Sequence, residues 1–526
     1  MNPEARTAGV VADSQPESWS VATTSGLHLR LPASMRSLTT YVMLEQECWF
    51  EPEMSLLPHL LAGGVHALDI GANHGLYTLE MARCSGNGRV WAFEPTSTPR
   101  ARLVRSVDEA GLGARVVVVD AALAETQGEA SFAVHDNSEL NSRDGSGARR
   151  ERVRLETLDA YLDANASGVE IGFVKLDAEG DETRVLAGGR RFFASQSPVV
   201  LFEYKHGAAV NAELIDAWRE LGFGIFRWSA ELDLLLPFDP ATGEAAFALN
   251  LVAIRPAVQV RLAAQGLLVS ADALANATTL PDRLDCSGVS GLQAWCARPA
   301  LHGLMADDAQ AGGAVYAAAL RGVAAAHLQS GLAPEQRVAL MLAARDSVLA
   351  AIDAGTAFGP EAWVLVVHCL HALGQQHAAV QLGAGVLAGW PQDAQISLPF
   401  VPPQLADLER ERSTPAASWL RQMLAEFVAT RSSFSSYFGS PVPQRWAALL
   451  VHPDHGAEIE RRYLLAHVLA DSVASVQCLS RLPDPRHTCN PFLWQGLIKA
   501  MQVMLPIQPL VTEPRLATLP AVPLAA

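Results

Sequence analysis

The stretch Val65-His-Ala-Leu-Asp-Ile-Gly-Ala-Asn-His-Gly-Leu-Tyr-Thr78 decides how this chain folds. Val65 to Ile70 is short and apolar and reads as a buried strand. Gly71 to Gly75 reads as a loop, and Leu76 to Arg83 as the first turns of a helix. Glycine lets a backbone pass close to a ligand, and a helix N-terminus offers unpaired N–H groups at the positive end of its dipole. Asp69 stands where the strand ends. Strand, glycine loop and helix in this order predict a nucleotide-like cofactor. A dinucleotide site wants G-x-G-x-x-G, with its second glycine where the pyrophosphate touches the backbone. Here that position is Asn73. The pattern D-x-G-x-N-x-G suits a smaller, cationic cofactor, because Asp69 repels a pyrophosphate and attracts the ammonium of S-adenosylmethionine.

Further strands follow in order. Gly88 to Glu94 is a second, ending in an acid placed to accept both ribose hydroxyls. Val116 to Asp120 is a third, its acid suited to an adenine edge. Ile171 to Asp177 is a fourth and Val199 to Glu203 a fifth. Five short apolar runs, each closing on an acid, predict ligand binding at the carboxyl ends of a parallel sheet.

The runs DIGANHGLYT (69–78), AFEP (92–95), ETLDAYL (156–162), KLDAEGDETRVLAGG (175–189) and LFEY (201–204) resemble the FkbM family of S-adenosylmethionine-dependent methyltransferases, as does the upstream YVMLEQECWFEPE (41–53). The resemblance covers about residues 25–256. It implies a Rossmann-like methyltransferase fold with a mostly parallel seven-stranded sheet, S-adenosylmethionine as cofactor, and O-methylation of a hydroxyl on a sugar or another small-metabolite acceptor.

Bulk properties narrow the alternatives. A chain of 526 residues exceeds one core, so two or more domains are expected. Half the residues are hydrophobic and 18% are charged, which is a globular composition. A net charge of −16 argues against nonspecific binding to nucleic acid or anionic membranes. The seven cysteines are scattered and form no C-x-x-C pair, so neither a disulfide framework nor a zinc site is expected. No apolar run approaches the ~18 residues of a membrane span, and the N-terminus has no signal core. The expected location is the cytoplasm.

Residues 1–24 read as a disordered leader and 25–256 as the methyltransferase domain. Glu51 and Glu53 precede a short helix, where they serve either as dipole-favoured N-terminal acids or as ligand contacts. Residues 130–135 and 151–155 alternate and form a hairpin with a long polar tip near the expected mouth of the site. Phe223–Trp228 and Ala248–Ile254 read as a closing antiparallel pair, and the sheet should own a complete core by about Ala257.

From Val258 the composition turns to alanine, leucine and glutamine at helical spacing, predicting an all-α domain over 257–505 and a loose Pro-rich tail over 506–526. The predicted helices include Ala362–Leu373 and Gln376–Leu387, a tetratricopeptide-like pair joined at Gly374, and a long helix over Ala457–Leu482. Thr414-Pro415 reads as an N-cap with proline at the first helical position.

Asp69, Gly71, Asn73, Gly75, Thr78, Glu94 and Asp120 are the candidate cofactor-binding residues. Asp177 is the first choice for orienting or deprotonating the acceptor, with Glu179, Glu203 and His206 as further catalytic candidates. No metal site is expected: His452, Asp454, His455 and Glu458 have ligand-type side chains, but Asp454 also suits a helix cap. Two other readings stand beside the enzyme. One is a cofactor-binding helical scaffold that mediates protein interactions without catalysis. The other, a nicotinamide oxidoreductase, is disfavoured by Asn73. The helical part is expected to recognise the acceptor or a protein partner.

Overall fold

The computed structural model describes residues 17–135, 137–143, 149–206, 209–270, 291–304, 313–438, 442–470 and 481–504. Its strands, in chain order, are β1 (Ser18–Ala22), β2 (His28–Pro32), β3 (His66–Ile70), β4 (Val90–Phe93), β5 (Val116–Val119), β6 (Ala122–Leu123), β7 (Gly128–Val134), β8 (Arg149–Glu156), β9 (Ile171–Leu176), β10 (Val199–Glu203), β11 (Lys205–His206), β12 (Ala209–Val210), β13 (Gly224–Ser229), β14 (Leu234–Pro237) and β15 (Asn250–Ile254). The large sheet has the order β14-β13-β15-β10-β9-β3-β4-β5. The five runs expected to be parallel, β3, β4, β5, β9 and β10, are parallel, and β15 closes antiparallel between β10 and β13.

Two features of the strands depart from expectation. The sheet has an eighth strand, β14, paired antiparallel to β13 at the edge. Residues 18–22, expected within a disordered leader, form β1 paired with β2. Residues 1–16 and the tail 506–526 lie outside the described residues.

Strands of a parallel sheet are covered on both faces, so their apolar runs need not alternate with polar residues. Leu68, Ile70, Val174, Leu176, Val200 and Phe202 face one core with Phe193 and Trp218. Ala67, Ala92, Phe173, Val199 and Leu201 face the other, with Leu79 and Leu103. The helix Pro256–Ala264 stays on this second face through Val258 and Leu262, and Leu268 bridges to Leu235. Pro256 therefore starts a covering helix and does not end the sheet's core. The helical stretch expected over Thr183–Ala194 is two helices, Glu182–Gly188 and Arg190–Ser195, meeting at Gly189, where a Cβ would press on Leu158 and Phe193.

The helical half forms Ala314–Leu328, Pro334–Asp353, Pro360–Ala372, Gln376–Ala388, Ala416–Arg431, Pro443–Leu450, Ala457–Leu469 and Pro491–Met504. Ala457–Leu469 is shorter than expected, and residues 471–480 lie outside the described residues. The helix Ala416–Arg431 is capped at Pro415, not at Thr414, because the Thr414 hydroxyl donates to Asp454.

The two halves share cores. β1, β2 and the helix Leu38–Gln46 bury Val21, Leu29, Tyr41 and Leu44 against Trp446, Tyr463, Leu465 and Trp494. Leu232, Leu234 and Leu236 are buried among Val323, Leu365, Trp419 and their neighbours. The 360–388 hairpin docks by its connecting turn. Arg227 donates to the Leu373 and Gly374 carbonyls, and the Glu244 carboxylate accepts from His377 N and Ala378 N at the start of the second helix. Cations at helix C-termini and anions at N-termini are the favoured arrangement.

Candidate active site

β3 stops at Ile70 because Gly71 turns away at φ +85°, and a Cβ there would lie 1.7 Å from the Asp177 carbonyl oxygen. Only glycine admits that approach. It brings the end of β9 against the end of β3, and Asp177 N donates to Ile70 O at 3.0 Å. Gly71 N and Ala72 N both donate to Phe93 O, tying the loop to β4. Asn73 also adopts positive φ, at 47°.

These ends enclose a cavity of about 1030 Å³, including its solvent-filled mouth. Asp69, Gly71, Asn73, Glu94, Asp177 and Glu179 line it, as do Phe93, Leu123 and Phe132. Glu94 is 6% exposed. It accepts from Asn73 N (2.9 Å), Thr96 N (2.8 Å) and the Thr96 hydroxyl (2.5 Å), so one carboxylate fixes both the glycine loop and the next turn. Burial pushes its carboxyl up against those hydrogen bonds. Asp69 is buried and accepts from the Thr78 hydroxyl at 2.5 Å; burial raises it to about 6. His74 is 1% exposed, its Nδ1 has no hydrogen-bond partner, and burial followed by Arg102 lowers it to about 3, so the ring is neutral.

Other candidates fall elsewhere. Thr78 reaches the cavity only through Asp69, and Gly75 is a packing position where a Cβ would strike Leu103 at 2.3 Å. Asp120 is corrected: it pairs with Arg100 at 2.8 Å, its side chain is 65% exposed, and the chain beyond it presents Ala121, Ala122 and Leu123 to the cavity instead. Glu203 lies behind the lining, where its carboxylate, Asp177 and Glu182 place ligand atoms within 4.8 Å of one another. A cation is already present there, since Lys175 Nζ lies 2.9 Å from Asp177 Oδ2, and Glu182 Oε1 accepts from Ala178 N and Gly180 N. The side chain of His206 lies outside the described residues. The 452–458 cluster is spent on structure: Asp454 accepts from Ser413 and Thr414, and His455 pairs with Glu460 at 2.9 Å.

Lys175 and the hairpin residues Ser138, Glu139 and Asn141 were not anticipated in the lining, whereas Glu51 was named as one of two alternatives. Lys175 is 2% exposed and lies 4.9 Å from the Tyr77 ring centroid. A lone lysine in an otherwise apolar strand was the available signal. Glu51 is the N-cap residue of the short helix Pro52–Leu56, accepts from the Tyr77 hydroxyl at 2.5 Å, and lines the cavity. Glu53 is buried behind it, raised to about 8 by burial and then by Glu51. The tip of the β7–β8 hairpin roofs the cavity with Ser138, Glu139 and Asn141. Ser138 Oγ donates to Asn73 Oδ1 at 2.7 Å, and burial raises Glu139 to about 7.

The donor set fits S-adenosylmethionine. Asp69 and Glu94 suit its ammonium and ribose hydroxyls, apolar walls suit a purine, and the glycine loop admits close approach. Residues 69–225 match the sequence model of the methyltransferase FkbM domain. The chain is similar to a solved FkbM methyltransferase of Methylobacillus flagellatus (17% identity, 36% of this chain and 43% of that one, TM-score 0.25). It is also similar to a SAM dependent methyltransferase of Aquifex aeolicus (16% identity, 35% and 85%, TM-score 0.22) and a putative O-methyltransferase of Klebsiella pneumoniae (12% identity, 39% and 79%, TM-score 0.23). The aligned part thus spans less than half of the Methylobacillus protein. No curated protein sequence matches the chain. Among the described residues no helix is long and apolar enough to cross a membrane.

Proposed function

We propose that this chain, whose residues 69–225 form an FkbM methyltransferase domain, uses S-adenosylmethionine to methylate a hydroxyl of a sugar or other small-metabolite acceptor. The observation that carries the reading is the convergence of four separate segments, 69–77, 93–96, 121–123 and 175–181, on one cavity at the carboxyl ends of the parallel strands. When bound, the sulfonium supplies an electrophilic methyl group.

In this reading Asp69 holds the ammonium and Glu94 the ribose hydroxyls. Phe93, Leu123 and Phe132 flank the base, and the hairpin roof excludes water. Asp177 Oδ2 is held by Lys175 Nζ, so its Oδ1 is the atom that takes the acceptor's hydroxyl proton. Glu179 stands beside it at φ 51°, its carboxyl pushed well up by burial and then by Asp177 and Glu203. It serves as a neutral donor to the acceptor. Positioning supplies roughly 7–11 kcal/mol of such a barrier, and a general base roughly 10²–10⁴-fold, so the cavity's shape outweighs any single base.

The test is transfer of tritium from methyl-labelled S-adenosylmethionine to small molecules of a host extract by the full-length protein. Hydroxyl methylation leaves the label in a base-stable ether. Label in a base-labile ester, or no transfer with the cofactor bound, contradicts the proposal.

A further inference from the structure

The roof of the cavity is held from three sides. On the side of the glycine loop, Ser138 Oγ donates to Asn73 Oδ1 at 2.7 Å. A hydroxyl has one hydrogen, so the 3.0 Å contact between Ser138 Oγ and His74 Nε2 takes the histidine as donor. On the side of the helix Leu38–Gln46, Thr39 donates to Glu139, and Leu38 N donates to Asn137 Oδ1 at 2.9 Å. The third hold comes from the helical half. Tyr437, in the turn after the helix Ala416–Arg431, accepts from Asn137 Nδ2 at 2.7 Å and donates to Arg36 O at 2.8 Å. Both ends of the Asn137 amide are therefore spoken for, and only one orientation of it satisfies both partners.

Tyr437 is itself fixed. Its backbone N donates to Ser435 Oγ at 3.1 Å, and its ring meets Tyr41 edge-on at 5.4 Å. The neighbouring Ser436 N donates to Glu45 Oε1 at 3.0 Å, and that buried carboxylate lies 3.3 Å from Arg462 Nη1 of the helical half. A hydroxyl held this firmly sets where the hairpin tip lies. From it the links run through Asn137, Ser138 and Asn73 to Glu94, because Glu94 Oε2 accepts from Asn73 N at 2.9 Å. Every link is a hydrogen bond except the covalent one between Asn137 and Ser138. The helical half thus reaches the acid that faces the cofactor through one tyrosine hydroxyl.

We infer that Tyr437 is a positioning residue of the cofactor site, holding the hairpin roof against the glycine loop and so making S-adenosylmethionine affinity depend on the helical half. The inference rests on the methyltransferase reading, in which Glu94 holds the cofactor's ribose.

The experiment is calorimetric titration of S-adenosylmethionine into the full-length wild type, Tyr437→Phe, Asn137→Ala, the double variant and Gln46→Met, with thermal unfolding of each. Tyr437→Phe removes one oxygen and keeps the ring. It should weaken cofactor binding about fivefold, the size expected for one lost hydrogen bond. Because Tyr437 acts through Asn137, the double variant should bind no more than about twofold more weakly than Asn137→Ala alone. Gln46→Met is the control. Gln46 Nε2 donates to Phe434 O at 2.7 Å, anchoring the same turn without touching the roof, so its loss should leave affinity within about twofold of the wild type. Wild-type affinity in a folded Tyr437→Phe protein overturns the inference and spares the methyltransferase reading. So does an equal loss in Gln46→Met, or a double variant weakened by the product of the two single effects. Absence of cofactor binding by the wild type overturns both.

Discussion

Carboxylates around the cavity and carboxylates against the helices end on opposite sides of their ordinary range. Around the cavity, burial wins: Glu53 rises to about 8, Glu139 to about 7 and Asp69 to about 6. Against the helices the partners win. Burial is overcome at Glu231 by His371 and His368, which hold it down to about 2. At Glu458 it is overcome by Arg462 and Arg461, and at Asp454 by hydrogen bonds from Ser413 and Thr414. Asp407, kept up at about 6 by burial despite Arg410, and Glu361, raised by burial, are exceptions. Paired acids hold a fold together, whereas acids left under desolvation are poised for a ligand that brings its own donors and positive charge.

The most severe way to break this comparison is to separate the halves. A fragment ending at Ala257 would bare Val21, Leu29, Tyr41, Leu44, Leu232, Leu234 and Leu236. Each buried side chain of this kind is worth roughly 1.5–3 kcal/mol, against a whole-domain stability of about 5–15 kcal/mol. The fragment should aggregate or lose cooperative unfolding by calorimetry. A monodisperse fragment with a sharp transition would show that the shared cores are dispensable.

Next comes chemistry. Asp177→Asn should lower turnover roughly 10²–10⁴-fold with cofactor affinity nearly intact. If cofactor binding falls instead while the fold survives, Asp177 belongs to the cofactor's contacts.

Two glycines sharpen the contrast in backbone terms. Gly71→Ala sets a Cβ 1.7 Å from a backbone carbonyl that cannot yield, so thermal unfolding should register a loss of about 3 kcal/mol or more. Gly374→Ala, at φ +73°, meets the movable Arg227 guanidinium at 2.7 Å and should lose about 1 kcal/mol. Equal losses would mean that the Asp177 carbonyl gives way.

The smallest effects are in pH dependence. Glu53 has a raised folded pKa, so its contribution is fully present below about pH 4.5 and is lost as pH rises through about 8. Glu53→Gln should stabilise the ligand-free protein by on the order of 2 kcal/mol at pH 8.5 and be nearly neutral at pH 5. Glu231 is the reverse: its contribution is present above about pH 4.5 and lost as pH falls through about 2. Glu231→Gln should destabilise at pH 7 by about 2 kcal/mol, fading toward pH 2. Unfolding midpoints across pH that move in parallel for both variants would contradict the contrast.

The sheet was legible because its signals are local: apolar runs of strand length, glycines at turns and acids at strand ends. The site's position was legible where a motif fixes the backbone: Asp69, Gly71, Asn73 and Glu94 all line the cavity. It was misread at Asp120, because the direction of a strand's last side chain depends on where the chain leaves the sheet, and here it leaves to pair with Arg100. The polar hairpin tip was placed near the mouth, but which of its residues turn inward depends on contacts with Asn73 and Thr96 far away in sequence. Helical periodicity told which faces of the C-terminal helices are apolar, not that β1, β2 and β14 cover them.

The central claim is that the buried acid after β4, not the exposed one after β5, holds the cofactor. Calorimetric titration of S-adenosylmethionine into the wild type, Glu94→Ala and Asp120→Ala tests it directly. Hydrogen bonds to a charged group are worth about 1.5–3 kcal/mol, so Glu94→Ala should weaken binding at least about tenfold, while Asp120→Ala stays within about twofold of the wild type. Unchanged affinity in a folded Glu94→Ala protein, or an equal loss in Asp120→Ala, would contradict the account.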